Sequence, residues 1–416
     1  MKKVLILTVG GSCDPLVNAI KNHQPDFVYF VCSKDSRQVV DGPGKPCKRG
    51  DEGLPSIVAQ TGLPPERFRI VELSDPDELG LCYREIISTI KKDLSERFAD
   101  EPLEIVANYT GGTKTMSVAL SLAGLNADWD LEFNRGPRTD LVKIRGGDVP
   151  VLMDRWQVYA CQQLKTIDGF WSRFYYAEAM ELASSMLKHP LSPELKALFQ
   201  TVYTCSKAFD AWDRFHHREA YELLQSFGKD FGRYVQVLSW LARRENPYLL
   251  VSDIVRNAER RAAQKRFDDA VARLYRAVEL LAQARIETKY GLQTGKFPFA
   301  RLPEEMKKSL SGAVDEKGNV SLALRRSYEF LAAERDPLGE LFKQQENKVL
   351  NALKKRNYSI LAHGTEPIDE DVYREVSDVL LNFLAKGLEL VQEKKKRVEI
   401  PQLPEKIPTA WCGDVL

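Results

Sequence analysis

No apolar run in this chain of 416 residues approaches the roughly 18 residues that a membrane-spanning helix needs, so no helical membrane anchor is expected. The opening "MKKVLILTVGG" imitates a secretory signal, with two lysines ahead of an apolar run. That run stops at Gly10-Gly11, short of the about 7–15 apolar residues and cleavage site of a signal peptide. Charge of one sign is also missing. The net charge is +1, so any contact with nucleic acid has to come from a local patch and not from an overall basic field. The seven cysteines (Cys13, Cys32, Cys47, Cys82, Cys161, Cys205, Cys412) are odd in number and scattered, and no pair has C-x-x-C spacing. That pattern excludes the usual zinc and dithiol motifs and predicts buried thiols in a reducing compartment, the cytoplasm. Internal repeats are absent. A composition of 44% hydrophobic and 29% charged residues describes a globular protein, and the length predicts two to three domains.

What is present divides at about residue 155. Before it, "KVLILTVG" (3–10), "DFVYFVCS" (26–33), "RFRIVELS" (67–74) and "LEIVANYT" (103–110) are nearly all apolar, as strands covered on both faces are. Helical patterns at 14–22, 54–62 and 77–98 separate them, and "CYREIISTIKKDLSERF" reads as an amphipathic helix covering the sheet. Alternation of this kind predicts an α/β doubly wound, Rossmann-like domain. "DLEFNRG" and "DLVKIRGG" read as a possible hairpin around Pro137, and 34–53 as a mobile loop. After residue 155 the pattern is helical throughout. One helix carries Phe267, Val271, Leu274, Val278 and Leu281 at helical spacing, and the chain closes on a basic run followed by prolines.

Two strand ends carry glycine pairs. "LTVGGSCDPLVNAI" leads through Gly10-Gly11-Ser12 to Asp14-Pro15, a helix-start signature. "ANYTGGTKTMSVAL" turns through Gly111-Gly112 into a helix beginning near Thr113 and Lys114. Helix starts leave backbone N–H groups unpaired beside the positive end of the helix dipole, which suits an anion. In a sheet ordered 3-2-1-4 these two strands are neighbours where the winding reverses, so both loops face one crevice. Neither loop is a dinucleotide fingerprint or a Walker A motif. Thr113 and Lys114 can reach phosphate oxygens, and Asn108 can reach a base or ribose. Taken singly, the glycines equally supply a tight turn and Lys114 a surface charge.

A second pattern lies in "NALKKRNYSILAHGTEP". Arg356 and His363 are seven residues apart, which on a helix returns to nearly the same face, and Asn357 adjoins the arginine. A guanidinium grips phosphate through two hydrogen bonds and an imidazole moves protons near neutral pH, the needs of phosphodiester chemistry. His363-Gly364 reads equally well as a helix C-terminus with its glycine cap. His216-His217 are adjacent and point about 100° apart on a helix, a poor metal pair. Glu279 near Arg276 reads as an intrahelical pair.

"TVGGSCDPLVNAI" together with "NYTGGTKTMS" resembles the CARF sensor domain of CRISPR-associated proteins, and "RNYSILAHG" resembles the HEPN ribonuclease signature. The resemblance implies a CARF–HEPN architecture: a Rossmann-like sensor over 1–155, a helical connecting region over 156–265, a HEPN-like domain over 266–400 and an extended tail over 401–416. It implies a homodimer. Gly10, Gly11, Ser12, Asn108, Thr110, Gly111, Gly112, Thr113 and Lys114 would hold a cyclic oligoadenylate, tetra- or hexa-adenylate, as activator. Arg356, Asn357 and His363 of two copies would form a composite site that cuts single-stranded RNA. It needs no metal or other cofactor and leaves 2′,3′-cyclic phosphate ends, because the RNA's own 2′-hydroxyl attacks. Slow cleavage of the activator, assisted by Ser12, Thr113 or Lys114, is compatible with this. Two rival readings are a non-catalytic sensor and a nucleotide hydrolase using Lys114.

Overall fold

The apolar runs of the first part become strands between helices: β1 (Lys2–Thr8), α1 (Asp14–His23), β2 (Phe27–Ser33), α2 (Arg37–Asp41), the short hairpin β3 (Cys47–Arg49) and β4 (Glu52–Leu54), α3 (Ile57–Thr61), β5 (Phe68–Leu73), α4 (Leu79–Arg97), β6 (Leu103–Asn108), α5 (Lys114–Ala127), β7 (Asp130–Arg135) and β8 (Val149–Leu152). This computed structural model describes every residue except 50–51, 100, 136–148, 154, 358, 361–363, 393–396 and 413–416. The chain forms two units, Met1–Ala160 and Cys161–Leu416.

The six-stranded sheet of the first unit runs β5-β2-β1-β6-β7-β8, parallel except for β8, which pairs antiparallel with β7. Its first four apolar runs thus stand in the 3-2-1-4 order. The strands are apolar on both sides because both faces are covered. Ile6, Tyr29 and Val71 pack with Ile86 and Ile90 of α4 and Ala119 and Leu120 of α5. Leu5, Leu7 and Phe30 pack with Leu16 of α1 and Ile57 of α3. One detail differs from the sequence pattern: the described part of 34–53 is ordered as α2, β3 and β4. The expected strand "DLVKIRGG" lies outside the described residues, and among those described β8 is the antiparallel partner of β7.

Cys13 and Cys47 correct the expectation of separate thiols. They are joined as a disulfide with Cα atoms 5.7 Å apart, within bridging range. Nothing in their spacing signals this, because α1 and β3 meet only once the sheet has formed. Cys32, Cys82 and Cys205 are free, buried thiols.

The second unit is almost entirely helical: α6 (Arg155–Trp171), which begins just before its boundary, α7 (Tyr176–Met186), α8 (Pro193–Asp213), α9 (His217–Leu224), α10 (Gly228–Arg243), α11 (Pro247–Ala263), α12 (Phe267–Tyr290), α13 (Glu304–Leu310), α14 (Leu324–Ala333), α15 (Pro337–Asn357), α16 (Glu370–Val391) and α17 (Thr409–Cys412). The predicted stripe on α12 is the centre of its core. Val271, Leu274, Val278 and Leu281 are buried against α11, α14, α15 and α16, while Phe267 stacks on Tyr373. The proline-rich tail packs against the unit in extended form before turning into α17. Ile400, Leu403 and Ile407 are buried, and carbonyls of Ile400, Gln402 and Pro404 accept bonds from Arg256, Tyr234 and Tyr176.

Asp336, fully buried at the start of α15, accepts from Arg285 and Lys289 at 2.9 and 2.8 Å and from the Leu338 amide at 3.0 Å. Burial alone would raise its carboxyl, but these bonds to cations outweigh burial and hold it below the usual carboxylate range. A depressed folded value stabilises above the unfolded value of about 3.9 and is lost as pH falls through the folded one. Asp336→Ala should lower the unfolding free energy by roughly 1–3 kcal/mol, because it leaves the half-buried Arg285 without its acceptor. Urea denaturation at neutral pH checks this, and repetition below about pH 4 should show the difference shrinking. Peptide mapping without reductant should recover Cys13 linked to Cys47, and reduction should cost roughly 2–4 kcal/mol for a loop of this size.

Candidate functional site

The crevice forms because β1 and β6 pair directly, with Leu7 opposite Asn108 at their carboxyl ends. The chain leaves both strands through glycine at the same height. A side-chain carbon on Gly10 would stand 2.8 Å from the Gly112 amide nitrogen, and one on Gly111 would stand 2.2 Å from the Thr8 carbonyl oxygen. Gly112 also has φ of +82°, a conformation that L side chains rarely adopt. The glycines therefore let two backbones touch. Gly11 differs, because a Cβ there would meet nothing within 4 Å.

A cavity of about 360 Å³ opens above this contact, lined by Gly10, Gly11, Ser12, Pro15, Leu16, Thr110, Gly111 and Gly112. Six of the nine expected residues are therefore in the wall. The other three are placed differently. Asn108 is fully buried behind the wall, where its carbonyl oxygen accepts from the Thr110 hydroxyl at 2.6 Å and its amide donates to Glu132 and Asn134 at 2.6 and 2.7 Å. Its reach to a ligand is thus indirect, through Thr110. Thr113 is the N-cap of α5: its hydroxyl accepts from the Met116 amide at 3.1 Å and donates to the Pro76 carbonyl at 2.8 Å. Lys114 is exposed on the first turn of α5. Ser117 fastens the loop from below, donating to the Gly111 carbonyl at 2.9 Å.

The sequence pattern missed what stands behind the wall. Glu132 and Asn134 alternate with Leu131 and Phe133 along β7, which reads as a solvent-facing polar side. Both are buried, at 1% and 2% exposure, because α1 covers that face. Glu132 meets His23 at 2.6 Å near the end of α1, and the Asn134 amide donates to the Pro15 carbonyl at 2.8 Å near its start. The Asn134 backbone N–H donates to the Thr110 hydroxyl at 2.7 Å. One buried polar network therefore joins both crevice loops. Only the adjacency of β6 and β7 reveals it.

The second pattern falls at the end of α15, which stops at Asn357. Arg356 and Asn357 occupy its last turn, and their side chains are outside the described residues, as is His363 altogether. Beyond the helix, Ser359 bridges to Glu366, the Ile360 amide donates to the Glu366 carbonyl at 3.0 Å, and the Gly364 amide to the Ser359 carbonyl at 3.2 Å. The expectation that Arg356 and His363 share one helix face therefore falls on residues outside those described. Among the other sequence candidates, His216 pairs with Glu219 and His217 with Asp253, so the two imidazoles serve different carboxylates. Arg276 and Glu279 form the expected intrahelical pair at 2.6 Å.

Residues 240–386, from the end of α10 into α16, match the family model of the Csm6 HEPN domain. That segment is similar to the HEPN domain of Csm6 proteins. The whole chain superposes on Csm6 of Enterococcus italicus, solved bound to cyclic hexa-2′-fluoro-hexa-dAMP, with a TM-score of 0.60 at 13% identity, over 95% of this chain and 96% of that one. The chain thus shares that protein's fold, with a Rossmann-like unit ahead of a helical region that matches the HEPN model. VC1899 from Vibrio cholerae (TM-score 0.25, 10% identity, 51% of this chain and 68% of that one) overlaps only in part. Can2 from Sulfobacillus thermosulfidooxidans, solved in complex with cyclic tetra-adenylate (TM-score 0.21, 12% identity, 55% and 68%), does likewise. Nothing rests on these two. No curated protein matches the chain by sequence. Among the described residues no helix is long and apolar enough to cross a membrane.

The loop contacts separate folding from binding. Gly111→Ala should destabilise the first unit by roughly 1–3 kcal/mol, as overpacking does, whereas Gly11→Ala should melt like the wild type. Thermal denaturation of the two variants side by side measures this.

Proposed function

We propose that this protein is a homodimeric endoribonuclease switched on by a cyclic oligoadenylate, tetra- or hexa-adenylate, and serving type III CRISPR defence. The observation that carries the reading is a conjunction. A HEPN match that spans Arg356, Asn357 and His363 follows a Rossmann-like unit whose switch-point crevice is built from Gly10, Gly11, Ser12, Thr110, Gly111 and Gly112. The backbone amides and helix starts at that crevice suit the phosphates of a cyclic nucleotide, and the ligand bound to the Enterococcus protein is of that class. Lys114, exposed on the first turn of α5, would add charge to the phosphates. Thr113 would act by capping that helix, and Asn108 by aiming Thr110.

At the effector end, Arg356 would neutralise charge on the scissile phosphate, and His363 would move the proton of the attacking 2′-hydroxyl or the leaving 5′-oxygen. Asn357 would orient the histidine or the RNA. Two copies would face each other to complete the centre, and the reaction would run without metal, leaving a 2′,3′-cyclic phosphate and a 5′-hydroxyl. Occupancy of the crevice would favour the arrangement in which the two sets of residues meet, by binding it more tightly than the resting one.

Labelled single-stranded RNA, incubated with EDTA and with or without cyclic tetra- or hexa-adenylate, tests the reading. Cleavage should require one of the two rings, and Arg356→Ala or His363→Ala should abolish it with activator affinity nearly unchanged. Lys114→Ala should weaken activator binding about tenfold, the loss of one charge-assisted contact. Tight ring binding with no cleavage under any condition would make the protein a sensor only. Wild-type cleavage by His363→Ala would overturn the catalytic assignment.

A further inference from the structure

The second unit contains a cavity of about 680 Å³ that belongs to neither site described above. It lies where the start of α9, the end of α10, the start of α11 and one stripe of α12 meet. Ligand pockets run to about 300–1,000 Å³ and combine apolar walls with a few placed polar groups, and this one does so. Leu241, Leu250, Leu280 and Ala284 form the apolar wall, with the ring of Phe215 beside them.

One polar group is held in place from behind. Asp253 is fully buried, and its two oxygens accept from Trp212 Nε1 at 2.9 Å and meet His217 Nε2 at 2.8 Å. A buried carboxylate requires such donors, so His217 gives up its Nε2–H to Asp253 and its ring cannot turn. Nδ1 has no protein partner among the described residues, and the imidazole lies in the cavity wall. Next to it, Arg244 caps α10 in the left-handed region, with φ of 54°. Its guanidinium is exposed and makes no ion pair or hydrogen bond among the described residues. A smaller pocket of about 230 Å³ shares His217 and Arg244 and adds His216, Arg218 and Glu219. His216 and Arg218 are compensated by Glu219 and Glu222, which leaves Arg244 and the His217 Nδ1 edge for a ligand. Further polar groups line the cavity as well. Among the described residues Gln283 uses its side-chain carbonyl, on Arg276, and Asn246 its own, on the Tyr248 amide, so both side-chain amides are left to donate.

We propose that this cavity binds a ribonucleoside monophosphate, with the phosphate between Arg244 and His217 and the base in the apolar slot against Gln283 and Asn246. A guanidinium with an imidazole suits a phosphate monoester, and an apolar slot edged with amides suits a base. The same chemistry is presented by a free mononucleotide and by the 5′-phosphorylated end of an RNA.

Isothermal titration of the full chain with the 5′-monophosphates of adenosine, guanosine, cytidine and uridine tests this. At least one should bind saturably in the micromolar to millimolar range. Arg244→Asn, which tolerates the left-handed backbone and is exposed, should weaken that binding about tenfold or more without changing the melting temperature. Lys114→Ala should leave it unchanged, which separates this cavity from the sensor crevice and its failure from that of the activator reading. A 5′-phosphorylated RNA tetramer that binds as well assigns the site to RNA ends, and one that is excluded assigns it to free nucleotides. The proposal is overturned if no monophosphate binds saturably, if Arg244→Asn binds as the wild type does, or if inorganic phosphate alone binds as tightly as the nucleotides.

Discussion

The first unit depends on two backbones touching. β1 and β6 run parallel and in register, so the loops that follow them leave the sheet at one level and press together through Gly10, Gly111 and Gly112. With any side chain at Gly111, that carbon would occupy the space of the Thr8 carbonyl. The same contact aims the starts of α1 and α5 at one opening. Amide donors and the positive ends of two helices then converge without any cationic residue in the wall.

Rigidity behind that opening comes from polar groups taken out of water. Asn108, Glu132 and Asn134 satisfy one another and carry the pattern to His23 and Pro15 at the two ends of α1. Buried networks of this kind hold a unique arrangement, because each unmet partner would incur a desolvation penalty. The Cys13–Cys47 bridge ties the same corner to the β3–β4 hairpin. A cyclic nucleotide entering the crevice would therefore meet preorganised loops, and affinity gains when the ordering is already done.

The helical unit uses a different device. Its core is an apolar stripe on α12 enclosed by four helices, and Asp336 pins the start of α15 by gathering Arg285 and Lys289. That anchor sets where α15 begins, and so where Arg356 and Asn357 arrive one helix later. The tail returns across the unit and closes over it with backbone carbonyls accepting from Tyr176, Tyr234 and Arg256.

Local pattern determined much of this protein. Runs such as "KVLILTV" and "LEIVAN" are β-rich and apolar on both sides, as in a covered parallel sheet, and the change to helical period near residue 155 marked where the six-stranded sheet ends. The glycine pairs and Asp14-Pro15 announced the crevice loops, since only turns and helix starts need such residues. Other features were decided by the tertiary structure alone. The burial of Glu132 and Asn134 requires α1 to lie on their face, and the pairing of Cys13 with Cys47 requires α1 beside β3. The bridge between Ser359 and Glu366, just beyond α15, is likewise a contact that helical spacing cannot foresee. The reason is common to all three. Periodicity reports how a residue sits on its own element, whereas these outcomes depend on which second element comes to rest against it.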